Sequence, residues 1–339
     1  MRHALAMATI LCLTVVTGLK GQEGPYHAGP IIQIGGEGGW DYLSVDAAAH
    51  RLYVSHATHV VAVDTQQNKV VGDVPDTPGV HGFIAVPELG KGFSSNGRGN
   101  NVSVVDLKTL KLLQKVETGE NPDWIFYEPS KKEVYTMNGR GKSASVIDTT
   151  TGKVVATVPL EGKPETAQAD SKAGKVYVNM EDLNSIKVID IATHKVSATW
   201  PAAPCEAATG LAFDVVTHRL FLGCDNKLLV MMDSTTGKVV YSVPVGEGVD
   251  STWFDPQTKL VFTSNGGAGT VTVAHEDSPS VLKVVQTIKT VRGARTMALD
   301  PVTHTIYLAA TDYEPQAPGS KDRPKAVAGT FRVLTYQMK

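Results

Sequence analysis

Apolar residues along this chain come in short runs of about four to six positions, rich in Val, Ile, Thr and aromatics, which is the pattern of short β-strands. Clusters of Gly, Pro, Asn and Asp separate the runs. Residues 122–160 show this most clearly: strands are predicted over Trp124 to Tyr127, Glu133 to Met137, Ala144 to Ile147 and Lys153 to Val158. The segments between them, Glu128 to Lys132, Asn138 to Lys142 and Asp148 to Gly152, carry the residues that tight turns require. One such antiparallel unit cannot bury both its faces, so it needs neighbours of its own kind.

Those neighbours are present as a repeat. The aromatic Tyr135 of the second strand recurs as Tyr53, Phe93, Tyr177, Phe221, Phe262 and Tyr307, a spacing of about forty residues. Seven residues before each stands an acid that closes the first strand, at Asp46, Glu128, Asp170, Asp214, Asp255 and Asp300, with Val86 the exception. Third strands end on Asp64, Asp106, Asp148, Asp190 and Asp233. Blade six departs at Val273 to Asp277, and the seventh repeat carries a Pro-rich, charged insert from Asp312 to Lys325. No helical periodicity of useful length appears. The last repeat lacks a fourth strand, and Pro30 to Gly35 reads as a strand with no blade before it. The predicted fold is therefore all-β: a seven-bladed β-propeller of four-stranded antiparallel blades, closed by the N-terminal strand pairing in the C-terminal blade, which removes the open edges.

The 339 residues divide on this reading into three parts. Residues 4–19 form an apolar run behind Arg2 and His3, so residues 1–22 are read as a secretory signal, placing the mature protein in the periplasm or outside the cell. Residues 23–29 are expected to be flexible, and 30–339 to form the single propeller domain, a monomer without a membrane span. Taking Arg2 and Lys20 from the 32 basic residues leaves 30 against 34 acidic ones. That balance offers no general attraction to nucleic acid or to anionic membranes. Two cysteines remain, Cys205 and Cys224, as a disulfide or as two buried thiols. Folding the hairpin about residues 215–218 sets Cys224 opposite Thr209.

The second strands LYVSH, VYTMN, VYVNM and IYLAA, with the following VAVDT, SVIDTTTGKVVATVPL and KVIDIATHKV, resemble the YVTN-repeat family of bacterial seven-bladed propellers, the YncE-like exported proteins. The resemblance covers about residues 30–339. It implies the fold and leaves the activity open, since similar shapes occur in redox-enzyme subunits and in lactonases.

Any chemistry is expected on one face. The hairpin turns that include His50, His218 and His304 are interchangeable and carry none. On the other face, five residues back from the end of each first strand, stand Asp41, His81, Asp123, Glu165, Thr209, Asp250 and Arg295, predicted to ring the central mouth. Trp40, Tyr42, Trp124 and Trp253 lie beside them, and His56, Asn96, Arg98, Asn138 and Arg140 form a second tier. Asp41, Asp123, Glu165 and Asp250 are hard oxygen ligands suited to Ca²⁺ or Mg²⁺, with which a lactonase-like hydrolase would use His81 or His56 as base. The aromatics with Arg98, Arg140 and Arg295 suit a planar or sugar-like small molecule or a peptide, or the bases of single-stranded nucleic acid, which the net charge opposes. HExxH, CxxC, CxxCH and GxSxG are absent, which removes the usual markers of zinc protease, thiol redox, covalent haem and serine hydrolase chemistry. The main expectation is a non-catalytic binding or scaffold propeller that requires no cofactor and takes a small molecule, peptide or partner protein. The hydrolase is the alternative, followed by a redox-enzyme accessory role.

Overall fold

The computed structural model describes residues 24–315 and 325–339. The signal assigned to residues 1–22 and the middle of the blade 7 insert lie outside the described residues. Seven four-stranded antiparallel sheets form the blades. Their first strands are Trp40–Asp46, Val80–Val86, Pro122–Glu128, Pro164–Asp170, Ala208–Asp214, Val249–Asp255 and Met297–Asp300. Each packs on the first strand of the next blade, and the seventh packs back on the first, so these strands line the axis and the array closes into a ring. Among the described residues no helix is long and apolar enough to cross a membrane.

Closure is made by Tyr26–Gln33, which pairs antiparallel with the last strand, Arg332–Met338, from Tyr26 opposite Met338 to Gln33 opposite Arg332. The strand starts four residues before Pro30, so residues 26–29, expected to be flexible, are ordered. The cause is local. The Tyr26 ring is buried edge-on against Phe262, with centroids 5.3 Å apart. Its backbone N–H donates to Gln286 Oε1 at 2.9 Å, and Gln286 Nε2 donates back to the Tyr26 carbonyl at 2.8 Å. Pro30 falls at the register shift between Ala28 and Ile31, on the edge strand where its missing N–H costs no ladder bond.

The repeated aromatics are the interblade core. All seven are buried, and Tyr53, Tyr177 and Phe221 meet Phe83, Phe213 and Phe254 on the first strand of the following blade. The repeated acids cap the hairpin turns. Asp46, Asp170, Asp214 and Asp300 accept backbone N–H bonds from Ala49, Ala173, Val216 and Val302, as Asp148 does from Thr151 and Asp190 from Thr193. His50, His218 and His304 hold left-handed backbone (φ 53°, 57° and 54°), confirming them as turn residues. Cys205 and Cys224 form a disulfide with a Cα–Cα distance of 5.4 Å. Cys224 stands opposite Ala208, not Thr209, because the first strand shifts register between Ala208 and Gly210.

Candidate functional site

That shift recurs. First strands break register at Trp40/Leu43, Val80/Gly82, Pro122/Ile125, Pro164/Ala167 and Val249/Ser251 as well, so in six blades the interruption falls at the ring position. A bulge kinks its strand and re-aims a side chain. Here it frees Asp41, His81, Asp123, Glu165, Thr209 and Asp250 from the regular ladder at the mouth. Hydroxyls then fix the ring backbone across blades. Ser95 donates to the Asp123 carbonyl, Thr296 to that of Asp41 at 2.8 Å, Ser264 to that of Arg295, and Thr166 to that of Thr209.

The four carboxylates do not face one another as a bare acidic ring. His81 Nδ1 lies 2.6 Å from Asp41 Oδ2 and 3.6 Å from Asp123 Oδ1. Lys163 Nζ lies 2.6 Å from Glu165 Oε1 and also pairs with Glu181. Arg295 Nε lies 2.8 Å from Asp250 Oδ2, and its Nη2 donates to the Trp40 carbonyl at 3.3 Å. Cations thus divide the Ca²⁺ or Mg²⁺ set drawn from the sequence: Glu165 is drawn to Lys163 and Asp250 to Arg295. Burial opposes a charge on His81, but Asp123 and Asp41 outweigh it and raise its pKa to about 9. Burial raises Asp250 to about 7 against the pull of Arg295, with Asp41 and Asp123 adding to the rise. Burial raises Glu165 too, and Asp123 reinforces it. Tyr42, buried among these acids, has its phenol raised well above the usual range, first by burial and then by all four charges.

The remaining predicted residues separate. Trp124 packs edge-on against Tyr42 (centroids 4.9 Å), and its Nε1–H donates to the Ala167 carbonyl of the next blade at 2.9 Å. Trp253 does the same to Met297 at 2.8 Å, and Thr209 donates to the Val249 carbonyl at 2.8 Å, so both are interblade clips. Asn138 is fully buried and bonds Ser143 and Ser145 within its own blade. His56 is sealed against Phe331 and His59, where burial followed by the neighbouring His59 lowers its pKa to about 4. It is no accessible base.

Beside the axis lies a pocket of about 1040 Å³. Its wall combines the glycine-rich loop 36–39, Trp40, Asp41, His81 and Arg295 with Arg98 and Arg140 and, from blade 7, Tyr313 and Phe331. Trp40 is stacked on Phe331 at 5.3 Å, and its buried Nε1–H has no hydrogen-bond partner among the described residues. Arg98 and Arg140 are exposed, and neither pairs with a carboxylate among the described residues. Sequence reasoning missed Lys163 and Asn121. Each stands two residues before a ring acid, on the same side of an extended chain, and that offset was the available signal. Tyr313 and Phe331 flank the insert and had no repeat to reveal them.

Fold and site together define a seven-bladed β-propeller with a polar, internally paired mouth and an adjoining pocket. Its sequence is similar to the YncE proteins of Salmonella typhi and Salmonella typhimurium, described only as uncharacterized, each 26% identical over 95 residues. The match spans 27% of this chain and 27% of those proteins. No family model matches the chain. Among solved structures, Kuenenia stuttgartiensis hydrazine synthase superposes with a TM-score of 0.70 at 16% identity, covering 87% of this chain and 95% of that one. A chain of the mitotic checkpoint complex gives 0.75 at 12% identity, covering 100% and 99%. At such identities the likeness is one of fold alone.

Proposed function

We propose that this propeller is a binding protein whose off-axis pocket takes an anionic ligand with a planar apolar portion. The observation that carries the reading is the surplus of unpaired donors on one wall. Arg98 and Arg140 both line the same cavity without acceptors among the described residues, beside the aromatic rings of Trp40, Phe331 and Tyr313. Guanidinium forks match carboxylate, sulfonate or phosphate oxygens, while the rings supply apolar area. Binding is favoured over turnover because neither proposed base is free: His81 Nδ1 is held by Asp41 at 2.6 Å with Asp123 at 3.6 Å, and His56 is sealed off. An exported location and a peptide or protein partner are further expectations that rest on the sequence.

Anilinonaphthalene sulfonate, a planar aromatic anion, is a suitable probe. Its fluorescence titration is expected to saturate at one site and to weaken with salt. Arg98→Ala with Arg140→Ala is expected to weaken it about tenfold or more, since each lost charge-assisted bond contributes about 1.5–3 kcal/mol. Unchanged binding in that double variant would overturn the reading.

A further inference from the structure

We propose that Asp41, His81 and Asp123 form a binding site for one divalent first-row transition-metal ion of the zinc, cobalt or manganese type. The inference is independent of the pocket's ligand. One atom from each of the three side chains lies within 4.8 Å of the other two. They come from the equivalent bulged position of three successive first strands, so the frame that carries them is rigid sheet. An ion with bonds of about 2.05 Å keeps tetrahedral ligand atoms about 3.3 Å apart and octahedral neighbours about 2.9 Å apart. The present separations from His81 Nδ1, 2.6 Å and 3.6 Å, bracket those values, and an ion would draw the three ligand atoms, now within 4.8 Å of one another, to that spacing.

Two features favour an ion over a permanent ion pair. First, the site is unevenly served. His81 Nδ1 presents one hydrogen, which Asp41 Oδ2 takes at 2.6 Å, while the carboxylate of Asp123, only 16% exposed, receives no side-chain hydrogen bond within that distance. A divalent ion serves both carboxylates and the ring nitrogen at once. Secondly, the other ring nitrogen is already held. Asn121 Nδ2 lies 3.1 Å from His81 Nε2, and the Asn121 backbone N–H is tied to Asn100 Oδ1 at 2.8 Å, so reversing the side-chain amide end for end would bring its oxygen to the ring. With the amide oxygen turned to the ring, it accepts the Nε2–H and leaves Nδ1 to the ion, the outer-shell arrangement that orients metal-binding histidines. One nitrogen with two carboxylate oxygens selects a borderline ion, whereas Ca²⁺ seeks six to eight oxygens and Mg²⁺ retains its waters. Asp41 and His81 also line the pocket, so a bound ion would add positive charge to its wall.

The test is zinc uptake by the full protein after EDTA treatment and dialysis, read by metal analysis, by thermal unfolding with Zn²⁺, Mn²⁺ or Ca²⁺, and by the visible absorption of bound Co²⁺. One Zn²⁺ per chain, a rise in Tm with Zn²⁺ and none with Ca²⁺ are expected. His81→Ala and Asp123→Asn should each weaken uptake about tenfold or more, and Asn121→Gly, which removes the amide and tolerates the left-handed backbone there (φ 57°), should do so within the same range. The His56 and His59 nitrogens, 3.3 Å apart, are the competing locus. No uptake by the wild type, uptake unchanged in the His81, Asp123 and Asn121 variants, or loss confined to His59→Ala would each overturn the proposal.

Discussion

Asp250 and Asp255 stand five residues apart in one strand, Val249–Asp255, yet the chain uses them in opposite ways. Asp255, at the turn end, is fully buried and satisfied: it accepts the Gln257 N–H at 3.0 Å and pairs with His304 Nδ1 at 2.6 Å. Asp250, at the ring end, sits beside a register break, shares its surroundings with two other acids, Asp41 and Asp123, and depends on one arginine. Turn ends repeat because six of the seven blades use the same acidic cap, the second having Val86 before the short turn Pro87–Leu89 instead. Ring ends differ because no ladder constrains them, so residues with no common structural role can occupy equivalent positions there.

Truncation should separate the two ends most sharply. Asp255→Ala strips a buried cap and leaves His304 unpaired, and is expected to cost about 3 kcal/mol in urea unfolding, the range for breaking a buried pair. Anilinonaphthalene sulfonate binding by the folded fraction should be unchanged. Asp250→Asn is expected to cost under about 1 kcal/mol, because relief of repulsion from Asp41 and Asp123 offsets the lost partner of Arg295. Comparable losses in the two variants would show that the ring acid is as structural as the cap.

The two ends should also respond to pH with opposite sign. Two caps that end third strands are depressed in the fold: Asp190 falls to about 2, through Lys175 first and then Thr193, and Asp148 falls through the Thr151 backbone N–H. The unfolded chain takes up protons first on acidification. Cap stability is therefore complete above about pH 4 and is lost as pH falls through the folded values. Asp250 is shifted the other way, to about 7, facing Arg295, Asp41, Asp123 and Lys163. Folded protein keeps a proton there that the unfolded chain has released, so this contribution declines as pH rises from about 4 to 7. In EDTA, Asp250→Asn should flatten that decline, on the order of 1 kcal/mol at a solvent-facing mouth, and leave the acid limb untouched. A neutral-range profile identical in wild type and variant would place the ring acid outside the folding linkage.

How much of this was legible follows the same division. The repeat announced the strands, the interblade aromatics and the caps because each obeys a fixed offset along the chain. Ring composition was legible too, by counting back from the caps. What could not be read was the extra residue in six of the seven first strands, because a bulge leaves no mark in a periodicity of two. That single residue put Cys224 opposite Ala208 instead of Thr209. It also hid the pairings of the ring, since Lys163 and Asn121 enter from just outside the counted position and meet Glu165 and His81 only once the strand kinks. His56 and Asn138 were misplaced for a related reason: in a blade packed on both sides, the end of a second strand is still interior.

The smallest effects are expected where the turn face is most exposed, and they bear on whether that face is only scaffold. His218 holds a left-handed backbone two residues after Val216, which is 79% exposed. Asn tolerates that conformation better than His, so His218→Asn is expected to stabilise by a few tenths of a kcal/mol in urea titration. Dye and zinc binding at the opposite mouth should not move, because the intervening strand is held by ladder bonds from Asp214 to Gly210 and gives way only at the bulge. A binding change in this variant would mean that the first strand transmits turn geometry to the ring. The bulge would then be a coupling element, and the independence of the two ends would fail.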